Sequence, residues 1–172
     1  MCQPKESNIK MRGIRNNNPL NIRRSATRWQ GAREEQTDKS FVQFKSMAYG
    51  YRAAWKVLQT YYEHFCRQGK PYTVRHIITR WAPPSENDTE AYIKNVLRLG
   101  SLGGNEKLLP PSNALSYGRL RRMVAAMTCV ECDIRMEQVD TGAMLQGYKL
   151  AFPSNAAKVD DWLRGEDEYS DW

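Results

Sequence analysis

The sequence predicts a mainly α-helical domain with one small, irregular β-hairpin, and three observations lead there. From Ser46 onward, apolar residues recur every three or four positions, the period of an amphipathic helix. Between Leu20 and Phe44 they alternate in short pieces instead. The 172 residues contain no internal repeat, low-complexity tract or linker that would divide them. A chain of this length typically buries roughly 70% of the surface its unfolded form exposes, enough for one core.

Residues 1–11 read as an unstructured lead, 12–164 as the domain and 165–172 as an acidic, frayed tail. In RGIRNNNPLNIRR (Arg12–Arg24), three asparagines before Pro19 favour a turn. Their side chains bond nearby backbone, and a residue before proline avoids the helical region. Leu20/Ile22 and Phe41–Phe44, flanking the polar stretch Gly31–Asp38, suit the hairpin. Met47, Tyr51, Ala54, Trp55, Leu58, Tyr62 and Phe65 mark one face of a long helix that Gly69-Lys70-Pro71 ends. Thr73 reads as the N-cap of a short helix with Val74, Ile77, Ile78 and Trp81 inward, stopped by Pro83-Pro84.

Ser85, with Asp88 three residues on, resembles a capping box for a third helix, with Glu86 in its first turn. That helix carries Tyr92, Ile93, Val96 and Leu97, with Gly100 past its end, and a Gly/Pro-rich loop follows to Ser112. A fourth helix, from about Ser116 to Glu131, turns Leu120, Met123, Val124, Met127 and Val130 inward. Two shorter helices are expected at about Asp140–Phe152 and Asn155–Leu163.

Composition narrows the function classes. Apolar and charged fractions of 41% and 26% argue against global disorder. No apolar run approaches the roughly 20 residues needed to span a bilayer. The first residues lack the apolar core of a secretory signal, so the expected location is the cytoplasm until release, or a virion. Net charge is +7, split into +13 over residues 1–128 and −6 over 129–172, as for a basic face with an acidic tail or simply a solvated surface. The basic residues are scattered singly and no nucleic-acid-binding motif is present, which argues against nucleic acid as the partner. Four cysteines and two histidines form no closed metal set, so no metal or cofactor is expected. Cys129 and Cys132, three apart on a helix, read as core thiols.

The segments RGIRNNNPLNIRR, Trp29-Gln30-Gly31, FVQF (41–44), GYRAAW (50–55) and RWAPPSENDTEAYIKNV (80–96) together resemble a family of phage-type virion structural or lysozyme-like proteins. The resemblance runs from about Arg12 to Gly100 and, more loosely, through Phe152. A fainter one, over about 50 residues, is to autolysin-type N-acetylglucosaminidases of the lysozyme superfamily. Asn18-Pro19-Leu20-Asn21-Ile22-Arg23, Trp29-Gln30-Gly31, Glu34-Glu35 and Phe41–Phe44 fall in that block's order, before the long helix. These resemblances imply a lysozyme-like α+β fold and peptidoglycan glycan strands as the partner. Those enzymes carry their general acid on a helix ahead of the block, where this chain has about a dozen residues. A circular permutation would move that helix to the C-terminal side.

Glycoside cleavage needs a carboxyl that donates a proton to the leaving oxygen, and a second group that stabilises the sugar centre or activates water. Glu131 closes an apolar helix, the place for such an acid, although an exposed glutamate in a last helical turn is the plain alternative. Glu35, beside Glu34, is the hairpin candidate or else a loop acid; Glu86 is a third candidate or else a helix-start acid. Sugar faces stack on aromatic rings and amides bond their hydroxyl and acetamide groups, which selects Trp29, Trp81, Tyr92, Asn18 and Asn87 as binding candidates. Asn18, Trp29, Asn87 and Tyr92 are expected around one groove. The function implied is glycan-strand cleavage in a phage setting, by hydrolysis or transglycosylation. The alternative is a non-catalytic virion or wall-binding protein of the same fold, with virion components as further partners.

Overall fold

The structure is a computed structural model and describes residues 11–169. The lead (1–10) and the last three residues of the tail lie outside that range. Seven α-helices make up most of the described chain: α1 (Arg12–Arg15), α2 (Met47–Arg67), α3 (Val74–Trp81), α4 (Thr89–Gly100), α5 (Tyr117–Cys132), α6 (Thr141–Ala151) and α7 (Ala156–Tyr169). Single 3-10 turns precede α5, α6 and α7. None of these helices is long and apolar enough to cross a membrane.

Caps explain most boundaries. The Ser46, Thr73 and Asp140 side chains accept from backbone amides in the first turns of α2, α3 and α6. Asp88, not Ser85, caps α4, its carboxylate accepting from the Ala91 amide at 3.1 Å. The Pro83–Asn87 segment is a separate turn, its amides returning to the Pro83 carbonyl, so Glu86 precedes the helix it was expected to start. Gly100 closes α4 rather than following it, and Ser101 takes the left-handed C-cap (φ 51°). Helix α7 runs past Gly165 to Tyr169, with Arg121 paired to Glu166 where fraying was expected.

The core is built on α2 and α6, which cross closely because α6 carries Gly147 at the contact. A Cβ there would lie 2.6 Å from Tyr51 Cβ and 2.7 Å from the Ala48 carbonyl oxygen. Trp55, fully buried, donates its indole N–H to the Met144 carbonyl at 3.1 Å, and Tyr51 bonds Thr128 of α5 at 3.0 Å. Helix α5 packs against α4, and its Leu120, Met123, Val124 and Met127 are fully buried. Both Cys129 and Cys132 are buried, free thiols.

The expected hairpin is reduced to two isolated antiparallel bridges, Arg23↔Phe41 and Ala32↔Phe44. Side chains replace the ladder. Gln43 Oε1 accepts from the Thr37 and Asp38 amides, while Gln36 bonds the Gln43 amide and carbonyl. With those groups satisfied by side chains, no continuous strand pairing is needed. Asp38 anchors the same segment, accepting from the Arg12 guanidinium, the Asn16 amide and the Ser40 and Phe41 backbone amides. Burial alone would raise its pKa, but these donors, Arg12 foremost, hold the carboxyl well below the usual range.

Candidate functional site

Helix α5 is buried on every side from Met123 to Cys129, and its last turn emerges from the core. Asp133 stops it in the left-handed conformation (φ 52°), a shape that Asp tolerates. Glu131, half-buried and next to last in the helix, reaches into a groove of about 340 Å³. One wall is the Leu20–Arg23 segment with Phe41; the other is Tyr61 of α2 and Trp81 at the end of α3. The Glu86–Asn87 turn forms the rim.

Side chains from three other elements converge on the Glu131 carboxylate. Oε1 accepts from the Trp81 indole N–H at 3.0 Å and from the Tyr92 hydroxyl at 3.0 Å. Oε2 accepts from Asn21 Nδ2 at 3.2 Å, and the same amide donates to the Glu131 backbone carbonyl at 3.3 Å. A carboxylate at a helix C-terminus is disfavoured by the helix dipole, and these donors offset that penalty. Burial, and then the adjacent Glu131 charge, push the Tyr92 phenol far above its ordinary value, so it remains a neutral donor. Burial likewise pushes the Cys132 thiol up to about 12, and its Sγ–H donates to the Pro19 carbonyl at 3.3 Å.

The Asn21 segment reaches Glu131 because Gly13 lets α1 press against the end of α5. A Cβ on Gly13 would lie 2.8 Å from Cys132 Sγ and 2.9 Å from the Asn18 carbonyl oxygen. Gly50 does the same on the other side, where a Cβ would approach the Asn17 carbonyl oxygen to 2.0 Å.

The candidates chosen from sequence divide in the structure. Glu131, Glu86, Trp81 and Asn87 line the same groove, with Tyr92 bonded to Glu131. Asn18 does not line it: it is 0% exposed, its Nδ2 donating to the Ile22 and Val42 carbonyls and its Oδ1 accepting from the Ile22 amide. Its turn supports the groove wall from beneath. Trp29 lines a separate depression with Arg24, Arg28 and Glu34, and Glu35 is exposed and outside the groove. The expected gathering of Asn18, Trp29, Asn87 and Tyr92 is therefore not seen. In a bridged ribbon successive side chains point to opposite faces, so Arg23 and Phe41 reach the groove while Arg24 and Val42 reach the other depression.

Asn21, Arg23, Phe41 and Tyr61 are groove residues that sequence reasoning passed over. Tyr61 had a signal, an aromatic one position off the apolar stripe of α2. Its ring lies 6.3 Å from Trp81, with the Arg80 guanidinium 4.8 Å from its centroid. A larger depression of about 760 Å³ borders α7, but its carboxylate, Asp161, is ion-paired with Arg164. Among the described residues no cluster of three metal-ligating side chains occurs.

No family model matches the chain. It is similar to a curated phage protein, Protein P5 of Pseudoalteromonas phage PM2, with 39% identity over 108 residues. The match takes in 61% of this chain and 65% of that protein, just under two thirds of its length. The chain is thus a mainly helical protein similar to a phage protein, with a carboxylate-centred groove at the end of its most enclosed helix.

Proposed function

We propose that this phage-type protein engages peptidoglycan glycan strands through the Glu131 groove and that Glu131 acts as the acid that cleaves them. The observation that carries the reading is the groove's make-up: one carboxyl on a rigid helix end, held by Trp81 and Tyr92, between aromatic walls and an Asn87 rim. Aromatic rings suit the apolar faces of sugars, and the rim amide suits hydroxyl and acetamide groups. Glu86 is the second carboxyl of the groove and the candidate for activating water. Glu35 has no part in the proposal. A single acid would instead suit a transglycosylase route, in which the sugar's own hydroxyl replaces water.

A second reading is a virion or wall-binding protein that holds the strand without cutting it. One observation favours it: among the described residues, the polar side chains bonded to Glu131 all donate to it, the arrangement expected of an acceptor that ties elements together. Similarity to a phage protein supports the setting common to both readings, virion association included, and adds nothing for cleavage.

Purified peptidoglycan sacculi separate them. Cleavage predicts binding, loss of turbidity and release of soluble glycan by the unaltered chain. Glu131→Gln, which keeps shape and removes the acid, should retain binding and lose release. Binding without release from the unaltered chain establishes the second reading, and no binding at all overturns both.

A further inference from the structure

The hydrogen bonds around Glu131 distinguish its two oxygens. Oε1 already accepts from two donors, the Trp81 indole and the Tyr92 hydroxyl, and a proton there would force the buried Tyr92 hydroxyl to stop donating to it. A proton on Glu131 therefore belongs on Oε2, the oxygen that faces Asn21 Nδ2. An Oε2–H and an amide N–H directed at each other would be two donors without an acceptor.

Asn21 has a second peculiarity. Its Oδ1 is buried without any donor, whereas its Nδ2 serves both Glu131 Oε2 and the Glu131 carbonyl. A buried acceptor left unmade costs about 1–3 kcal/mol. The space beside Gly13 is bordered by acceptors: a methyl placed there would lie within 3.0 Å of Asn21 Oδ1, the Asn18 carbonyl oxygen and Cys132 Sγ alike. The Cys132 proton is already directed to Pro19. An NH2 group would suit that space better than the oxygen that occupies it, and the ionised carboxylate opposite is what holds the amide in its present sense.

We propose that Asn21 is a positioning residue that reverses its amide when Glu131 takes up a proton, and that this proton resides on Oε2. In the reversed state Oδ1 accepts from Oε2–H and Nδ2 turns into the space beside the Asn18 carbonyl. One side chain then serves both states of the acid: Oδ1 gains a donor in the protonated state, and the Glu131 carbonyl gives up the one it receives from Nδ2 in the ionised state. The left-handed backbone at Asn21 (φ 52°), a conformation Asn adopts more readily than most residues, keeps the amide facing the end of α5. The other titratable or charged groups about the carboxyl are Arg23 from the ribbon, Tyr61 from α2, Glu86 from the rim, Tyr92 from α4 and Cys132 from α5. Trp81 is the non-titrating contact from α3.

This deepens the role proposed for Glu131, but its test does not depend on wall cleavage. Glu131→Gln mimics the protonated acid at neutral pH. Trp81 keeps the amide oxygen on its own side, so the new NH2 must face Asn21. In nuclear Overhauser spectra of the full chain, the Asn21 side-chain NH2 is identified by its loss in Asn21→Leu. In the unaltered protein it should show cross-peaks to the Glu131 side chain; in Glu131→Gln these should vanish and cross-peaks to the Gly13 α-protons appear. Acidifying the unaltered protein should give the same exchange, which keeps the test available if the variant folds poorly. Cross-peaks to position 131 that persist in both experiments overturn the proposal, as does loss of both sets. If the exchange occurs but sacculi stay intact, the cleavage reading fails and the amide reversal stands. If sacculi are cleaved but the amide keeps its sense, the reverse holds.

Discussion

Asp38 offers the sharpest test of how the groove wall is held. Its side chain, 7% exposed, accepts from Arg12, Asn16 and the backbone amides of Ser40 and Phe41. Asp38→Asn keeps the shape, removes the charge and turns an NH2 toward at least one of these donors. Hydrogen bonds to a charged group contribute about 1.5–3 kcal/mol each and do not add, and breaking a buried pair costs about 3–5 kcal/mol. A loss of about 3 kcal/mol at neutral pH is expected, or a melting temperature lower by roughly 6–12 °C for a chain this long. The pH dependence follows from the sign of the shift. The folded-state pKa is depressed, so this stabilisation is complete above the unfolded value of about 3.9 and is lost as pH falls toward the lower folded value. Denaturant unfolding of both proteins at neutral pH and at several points below about pH 4 measures the gap. It should narrow with acid, because the variant lacks the titrating group. A gap near zero at neutral pH, or one unchanged down to about pH 2, would refute the reasoning.

Three further outcomes are expected. Gly147→Ala should destabilise the fold by about 1–3 kcal/mol, seen as a lower unfolding midpoint, because the added methyl meets the backbone of α2 at 2.7 Å. Tyr92→Phe should cost about 1.5–3 kcal/mol for the lost bond to Glu131. It should leave the phenolate absorbance gained between about pH 8 and pH 11 unchanged, since Tyr92 does not ionise in that range. Trp81→Phe keeps a ring against Tyr61 but loses the donor to Oε1, so glycan release should fall about 10-fold or more while binding to sacculi changes less.

Much of the helical layout was legible in the sequence because its causes are local. The three-and-four spacing from Met47 to Phe65, the Thr73 cap, the Pro83-Pro84 stop and the apolar run ending in Glu131 each act within a few residues of the chain. A carboxyl at the end of an enclosed helix can be named on that basis alone, before its neighbours are known. What it meets was decided by contacts between distant segments: Asn21 is 110 residues away, Trp81 is 50 and Tyr92 is 39.

Competition between local signals was also settled by packing. Ser85 and Asp88 could each cap α4, and the turn returning to the Pro83 carbonyl left the role to Asp88. In the ribbon, Gln36, Asp38 and Gln43 took over the backbone bonds and left two isolated bridges where a hairpin was expected. At the Arg23–Phe41 bridge the side chains divide between two faces, Arg23 and Phe41 in the groove and Arg24 and Val42 in the depression that also holds Trp29 and Glu34. Asn18 resembled a ligand-binding asparagine because an amide's chemistry is the same whether it bonds a sugar or the backbone beneath one. Its complete burial, a property of the assembled fold, assigns it to the backbone.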